Sequence, residues 1–137
     1  MKKIALILLL ASAAAFPFSA CGSMKMYVPA DEPFRSELGS YTEDKVFRAI
    51  MLGGTRRGWT MTEVAPGIVR AKILWRSMMV EVEIHYNASG YVATYVDSAN
   101  LQYDRVSQKI DSNYLRWLRN LDRDIRYEVQ VADGEKN

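Results

Sequence analysis

The chain is 137 residues long and carries 18 basic and 16 acidic side chains, one histidine and one cysteine. A formal charge of +2 lacks the basic excess that a nucleic-acid-binding surface needs, so no nucleic-acid partner is expected. With a single cysteine no disulfide can form within the chain, and with a single histidine no multi-histidine metal centre can be built.

Lys2 and Lys3 carry the whole charge excess; without them the 16 remaining bases match the 16 acids. Positions 4–18 are uncharged and mostly apolar, a run too short for a comfortable membrane span and typical of a secretory signal peptide. Phe18-Ser19-Ala20-Cys21 follows. It resembles the lipobox of bacterial lipoproteins, departing at Phe18, where Leu or a similar aliphatic is usual. The resemblance implies a lipoprotein signal peptide over 1–20 and a lipid anchor (palmitate or a related acyl chain) on Cys21, the first residue of the mature chain. Two or more acyl chains give stable attachment. By the same resemblance, Gly22 in place of an Asp implies sorting to the outer membrane, on its periplasmic face. The rival reading is ordinary cleavage after Ala15, which leaves Cys21 as an unpaired thiol in an oxidising compartment.

Residues 21–40 hold Pro29, Pro33 and Gly39 with scattered charges and no clear period, and read as a lipid-anchored flexible tether. Thr42 then reads as an N-cap, with Glu43 and Asp44 in a first turn that favours acids. Val46, Phe47, Ile50 and Met51 recur at helical spacing, and Gly53-Gly54 predicts the helix end.

Residues 59–97 alternate with period two and predict a four-stranded antiparallel meander. A tight turn at Arg76-Ser77 pairs Trp75 with Met78, Ile73 with Val80, Ala71 with Val82 and Val69 with Ile84 on one apolar face. The same register sets Lys72 opposite Glu81 and Arg70 opposite Glu83 on the other face, and a one-residue slip destroys both patterns. A turn at residues 87–90 continues the apolar face into the last strand, pairing Ile84 with Ala93 and Val82 with Tyr95. Upstream, Pro66-Gly67 suggests a type II turn with a two-residue loop, yet keeping Trp59 and Met61 on the apolar face needs a three-residue loop or a bulge, and the bulge is favoured because burying Trp59 outweighs an ideal turn.

Residues 98–107 read as an irregular connection. Ile110, Tyr114, Trp117, Leu118, Leu121 and Ile125 then form the apolar stripe of a second helix, which starts at Ser107 or Asp111 and runs to Arg126. The expected fold class is α+β: a helix, a four-stranded antiparallel β-meander and a C-terminal helix, with both helices on one face of the sheet. It forms a single domain over 41–131, and 132–137 make a disordered tail.

Several stretches together resemble a group of small proteobacterial outer-membrane lipoproteins without an established activity. They are Arg57-Gly58-Trp59, Pro66-Gly67, Ile84-His85-Tyr86, the run from Tyr95-Val96-Asp97-Ser98 through Asn100-Leu101-Gln102-Tyr103, and Asn113-Tyr114 with Trp117, Leu121 and Ile125. The resemblance covers most of the mature chain and implies fold and envelope location. It lends no reaction. Where that group often shows His-Arg-Asn-Tyr, this chain has Asp111-Ser112-Asn113-Tyr114, which removes a histidine-based chemistry there.

Asp97, Ser98, Asn100 and Tyr103 are the candidate contacts for a ligand or partner. Asp97 falls on the parity that points toward the helices, where a carboxylate either holds a ligand or ties down backbone N–H groups, as turn-forming Asp, Ser and Asn do routinely. Glu81, Glu83 and His85 share a strand face and are weak candidates for a divalent metal; the competing reading is an ion-paired, solvated face. No nucleophile elbow accompanies His85, and Asp97 and Asp104 lack a glycosidase motif. Arg116, Arg119, Arg123 and Arg126 form a helix stripe for lipid phosphates or an acidic partner, or simply a solvated face. The glycine-rich run 53–58 follows a helix and lacks Gly-Lys-Ser/Thr, so it is no phosphate loop. These residues predict a non-catalytic envelope lipoprotein without a cofactor. It would act as a binding or assembly module whose partners are the membrane, through the anchor, and an envelope protein. The alternative is a periplasmic domain for a small ligand or metal.

Overall fold

The computed structural model describes residues 25–134. The expected signal peptide, the expected anchor residue Cys21 and positions 135–137 of the expected tail lie outside the described residues.

The described chain is α+β. Two short strands, β1 (Tyr27–Pro29) and β2 (Phe34–Glu37), precede helix α1 (Glu43–Arg56). Strands β3 (Thr60–Ala65), β4 (Ile68–Trp75), β5 (Met78–Asn87) and β6 (Gly90–Ala99) follow, then β7 (Lys109–Asp111) and helix α2 (Asn113–Gly134). The main sheet has five antiparallel strands in the order β2-β6-β5-β4-β3, and β1 pairs with β7 in a separate two-stranded sheet. The predicted four-stranded meander is therefore present as β3 to β6 but incomplete, because β2 adds a fifth strand at the β6 edge.

That strand corrects the predicted tether. From Tyr27 onward the segment is built into the domain: Val28 and Phe34 pack against the core, and Ala30 and Ser36 are buried. Strands of three and four residues interrupted by Pro29 and Pro33 carry too little alternation to be read as strands. Both prolines fall where no inner-strand donor is needed.

The centre of the sheet follows the charge and apolar patterns. β4 and β5 pair in the predicted register, including Arg70 with Glu83 and Lys72 with Glu81. Around Pro66-Gly67 both competing signals are satisfied. Ala65 pairs with Ile68 across a two-residue loop in which Gly67 has φ 81°, as a type II turn demands, while a bulge between Glu63 and Ala65 restores the parity that sets Met61, half-buried, opposite Ala71 and against the core. Trp59 is buried, 3% exposed, just before β3. Trp75 is not: 56% of it is exposed. β3 begins opposite Lys72, so the last residues of β4 outrun their neighbour strand.

Thr42 caps α1 as predicted, its side chain accepting from the Lys45 N–H. The helix does not stop at Gly53-Gly54 but runs through them to Arg56. These glycines are close-approach sites. A Cβ on Gly53 would lie 2.8 Å from the backbone nitrogen of Ile125 in α2, and one on Gly54 would collide with Met61. α1 and α2 thus pack nearly backbone to backbone. Val46, Ile50, Leu118, Leu121 and Ile125 join Val69, Val80, Val82 and Ile84 in one buried core.

α2 also outlasts its predicted end at Arg126. Val129 and Glu128 are still buried, and Arg56 of α1 bridges Glu128 at 2.5 Å, so the last turns remain docked and helical through Gly134, into the predicted tail. The predicted irregular stretch is partly regular: β6 extends to Ala99, and Asp104 bridges Lys109 before β7. A buried polar cluster links the two ends of the described chain. Asp122 of α2 accepts from Ser36 of β2 and, at 2.9 Å, from Tyr91 of β6, while Arg126 donates to both Asp122 and Ser36 at 2.9 Å.

Candidate functional site: a tyrosine-lined cleft at the end of strand β6

One residue too many in β6 shapes the site. Val82 pairs with Tyr95 but Glu81 pairs with Asp97, so Val96 is bulged out. The bulge reverses the parity beyond it. Asp97 therefore does not point toward the helices; it stands exposed beside Glu81 on the outer face, and Ser98, paired with Val80, turns inward instead.

Past the bulge the chain wraps a cleft of about 830 Å³. The four residues singled out from the sequence, Asp97, Ser98, Asn100 and Tyr103, all line it. Tyr95 and Tyr103 form its aromatic wall with ring centroids 4.6 Å apart, and Tyr114 meets Tyr95 edge-on at 5.9 Å. The Tyr95 and Ser98 hydroxyls share a hydrogen bond of 2.8 Å. Burial pushes the Tyr95 phenol above its ordinary value, only partly offset by Ser98, so the ring presents a neutral hydroxyl.

The rim is unusual in its backbone. Asn100, Gln102 and Gln108 all adopt left-handed conformations, with φ of 57°, 52° and 56°. Such residues cost about 1–2 kcal/mol each relative to the right-handed form and persist where neighbours hold them. Here each is pinned by its side chain. Asn100 donates to the Ser77 carbonyl at 2.5 Å, Gln102 accepts from Tyr27, and Gln108 accepts from Tyr103 at 2.8 Å. The loop between them is fixed by Asp104, which accepts from the Val106 N–H at 2.8 Å; those N–H bonds hold its carboxyl below the usual range.

Chemically, the cleft offers the carboxylate of Asp97, the guanidinium of Arg105, three side-chain amides and the tyrosine hydroxyls. Among the described residues neither Asp97 nor Arg105 has an ion-pair partner, and no histidine or second carboxylate lines the cleft. This set suits recognition of a polar, mixed-charge partner. Tyr95, Gln102, Arg105 and Gln108 were not singled out from the sequence. Tyr95 and Gln102 shared one signal, their place in the strand-end run from Tyr95 to Tyr103; Arg105 and Gln108 had none.

Glu81, Glu83 and His85 do converge, but around Arg70. Its two terminal nitrogens contact Glu81 at 3.0 Å and Glu83 at 2.7 Å, and His85 Nε2 meets the other Glu83 oxygen at 2.7 Å. A planar guanidinium reaches two carboxylates where a lysine reaches one, which is why Arg70 takes both acids and Lys72 neither. Arg70 and then His85 hold the Glu83 carboxyl below its usual value. Among the described residues no three His, Cys, Asp or Glu side chains are placed to hold a metal ion. The arginine stripe of α2 is partly committed, Arg126 to Asp122 and Arg123 to Asn120.

No family model matches the chain, no curated protein matches it, and no solved structure matches its fold.

Proposed function

We propose that this is a non-catalytic lipoprotein of the cell envelope, held to the periplasmic face of the outer membrane by acyl chains on Cys21, and that the cleft at the end of β6 binds an envelope protein partner. The reading of location rests on the signal-like start and on the Phe18-Ser19-Ala20-Cys21 segment. The reading of the site rests above all on one observation: three left-handed residues, each locked by a side-chain hydrogen bond, frame a cleft whose charges lack ion-pair partners. Backbone strain held in place by side-chain bonds, around a guanidinium and a carboxylate without salt-bridge partners (Asp97 accepts the Ser98 N–H at 2.8 Å), is the pattern of a preorganised binding surface. A carboxylate, a guanidinium and amides together match the backbone and mixed side chains of a polypeptide segment.

Site-specific photocrosslinking in the native host tests this reading. A photoreactive side chain at Gln102 or Val96 should capture a discrete envelope protein. The same group at Glu63, on the far edge strand, should capture none. Equal labelling from both places, or none from the cleft, removes the partner reading. The cleft volume also falls within the ~300–1,000 Å³ of small-molecule sites, which favours a soluble small ligand as the second reading. Binding of a cell-wall fragment to the purified protein without any protein adduct would select it.

A further inference from the structure

Two exposed large apolar side chains, Leu74 and Trp75, stand side by side at one hairpin tip. The β4–β5 hairpin ends in Leu74-Trp75-Arg76-Ser77-Met78-Met79, with Leu74 paired to Met79 and Trp75 to Met78. Neighbouring residues of a strand face opposite ways, so this tip is apolar on both faces. Leu74 is 69% and Trp75 56% exposed. The turn is held from one side, where Asn100 donates to the Ser77 carbonyl. Two residues along, Gln102 accepts from Tyr27, and Ser112 donates its N–H to the Met26 carbonyl. Met26 and Tyr27, 70% and 43% exposed, therefore lie at the same end of the domain as the hairpin tip. This is the end from which the chain leads back toward Cys21. From Lys25 to Cys21 even a fully extended chain covers at most ~14 Å, at about 3.6 Å per residue.

We propose that this end of the domain, with the Leu74-Trp75 hairpin tip as its wedge and Met26 and Tyr27 beside it, rests in the interfacial layer of the lipid bilayer. The proposal rests on the reading of Cys21 as a lipid anchor, because the short lead to Cys21 then keeps this end of the domain within ~14 Å of the anchor. The composition suits a lipid surface. A tryptophan with a cation over its ring, Arg76 at 5.9 Å from the Trp75 centroid, is the kind of group that settles at the boundary between headgroups and acyl chains. Lys25 beside Met26 and Arg76 beside Trp75 supply positive charge next to the apolar side chains for lipid phosphates. A wedge apolar on both faces suits a fluid boundary better than a flat protein surface. The contact sets the cleft beside the headgroup layer, within reach of a membrane-embedded partner.

The test uses the full mature protein, purified from host membranes and reconstituted into phosphatidylethanolamine–phosphatidylglycerol vesicles with or without brominated acyl chains. Bromine quenches only indoles that reach it, and Trp59 is buried in the core. The expected result is a loss of emission in brominated vesicles that W75F abolishes and that L74E, which retains Trp75, reduces at least twofold. Mass spectrometry of the same sample reads the amino terminus. An acylated Cys21 with no Trp75-dependent quenching overturns the docking proposal and leaves the anchor standing. An unmodified Cys21 overturns the anchor and, with it, the proposal built on it. Trp75 quenching absent from vesicles, together with crosslinking of this tip to a protein in cells, also overturns the lipid assignment.

Discussion

Replacing Gly53 by alanine sets two effects against each other, and the structure decides the sign. In an isolated helix the change would stabilise by about 1 kcal/mol, since glycine is the poorer helix former. In this fold the new Cβ would lie 2.8 Å from the Ile125 backbone nitrogen and 3.0 Å from both its Cα and its Cγ1. Two of those atoms are helix backbone, so no rotamer change relieves the contact and α2 as a whole must back away. α2 is also tied by Asp122 to Ser36 and Tyr91, and by Asp124 to Arg57 at 2.6 Å. Overpacking of this kind costs ~1–3 kcal/mol. Contact with backbone puts G53A in the upper part of that range, ~2–3 kcal/mol, and the gain of about 1 kcal/mol in helix propensity leaves a net loss of about 1–2 kcal/mol. G54A is the internal control. Its Cβ would meet the Met61 sulfur at 2.3 Å, methyl at 2.7 Å and Cγ at 2.8 Å, all atoms of one unbranched side chain that can change rotamer, and none of them backbone. It should stay within about 1 kcal/mol of the parent, the size of the propensity gain itself. Urea unfolding followed by tryptophan emission and circular dichroism gives both numbers. A G53A protein as stable as the parent, or a G54A protein equally weakened, would refute the account of helix packing.

Asp122→Ala leaves the hydroxyls of Ser36 and Tyr91 without their acceptor and should cost ~2–4 kcal/mol, with Y91F milder at about 1 kcal/mol; equal midpoints in urea for D122A and the parent would contradict this. At Asn100, with φ 57°, N100G should be the more stable of two truncations: alanine there suffers ~1 kcal/mol of left-handed strain that glycine escapes, while both lose the bond to Ser77. An N100A protein more stable than N100G would show that the left-handed rim is not real. The Glu83 carboxyl is held below its usual value of 4.5, first by Arg70 and then by His85. Its contribution to stability is therefore complete above about pH 4.5 and is lost as the pH falls through the lowered value of the folded state. E83Q should flatten that part of a stability-against-pH curve, lying below the parent at neutral pH by the amount the parent loses there in acid, and converging with it at low pH. An unchanged acid limb would argue against the Arg70–Glu83 pair.

Legibility followed the number of independent patterns at each position. The β4–β5 register was readable because alternation, turn length and two charge pairs all agreed. The bulge at Glu63–Ala65 was readable because a tryptophan and a methionine had to be buried. The bulge at Val96 had no such signal: Ala93, Tyr95 and Asp97 continue an unbroken parity on paper, and the inward Asp97 was the result. Gly53-Gly54 carries the residue type of a helix stop, and only the backbone of Ile125 reveals it as a contact. β1 and β2 are too short for a period to show. The cleft was half legible. A polar Asp-Ser-x-Asn stretch running through Gln102 to a tyrosine marks a strand end, but nothing marks Arg105 and Gln108, which close the cleft. They arrive through left-handed turns, and glutamine is not a residue whose presence predicts one.

The central claim is that acyl chains on Cys21 hold this domain at a membrane. The mass of the amino-terminal peptide from the mature protein, isolated from its own host's membranes, tests it directly. The account predicts a chain beginning at Cys21 and heavier than its sequence by a diacylglyceryl thioether, with or without an amide-linked acyl chain. A chain beginning upstream of Cys21, or bearing a free thiol there, would contradict it.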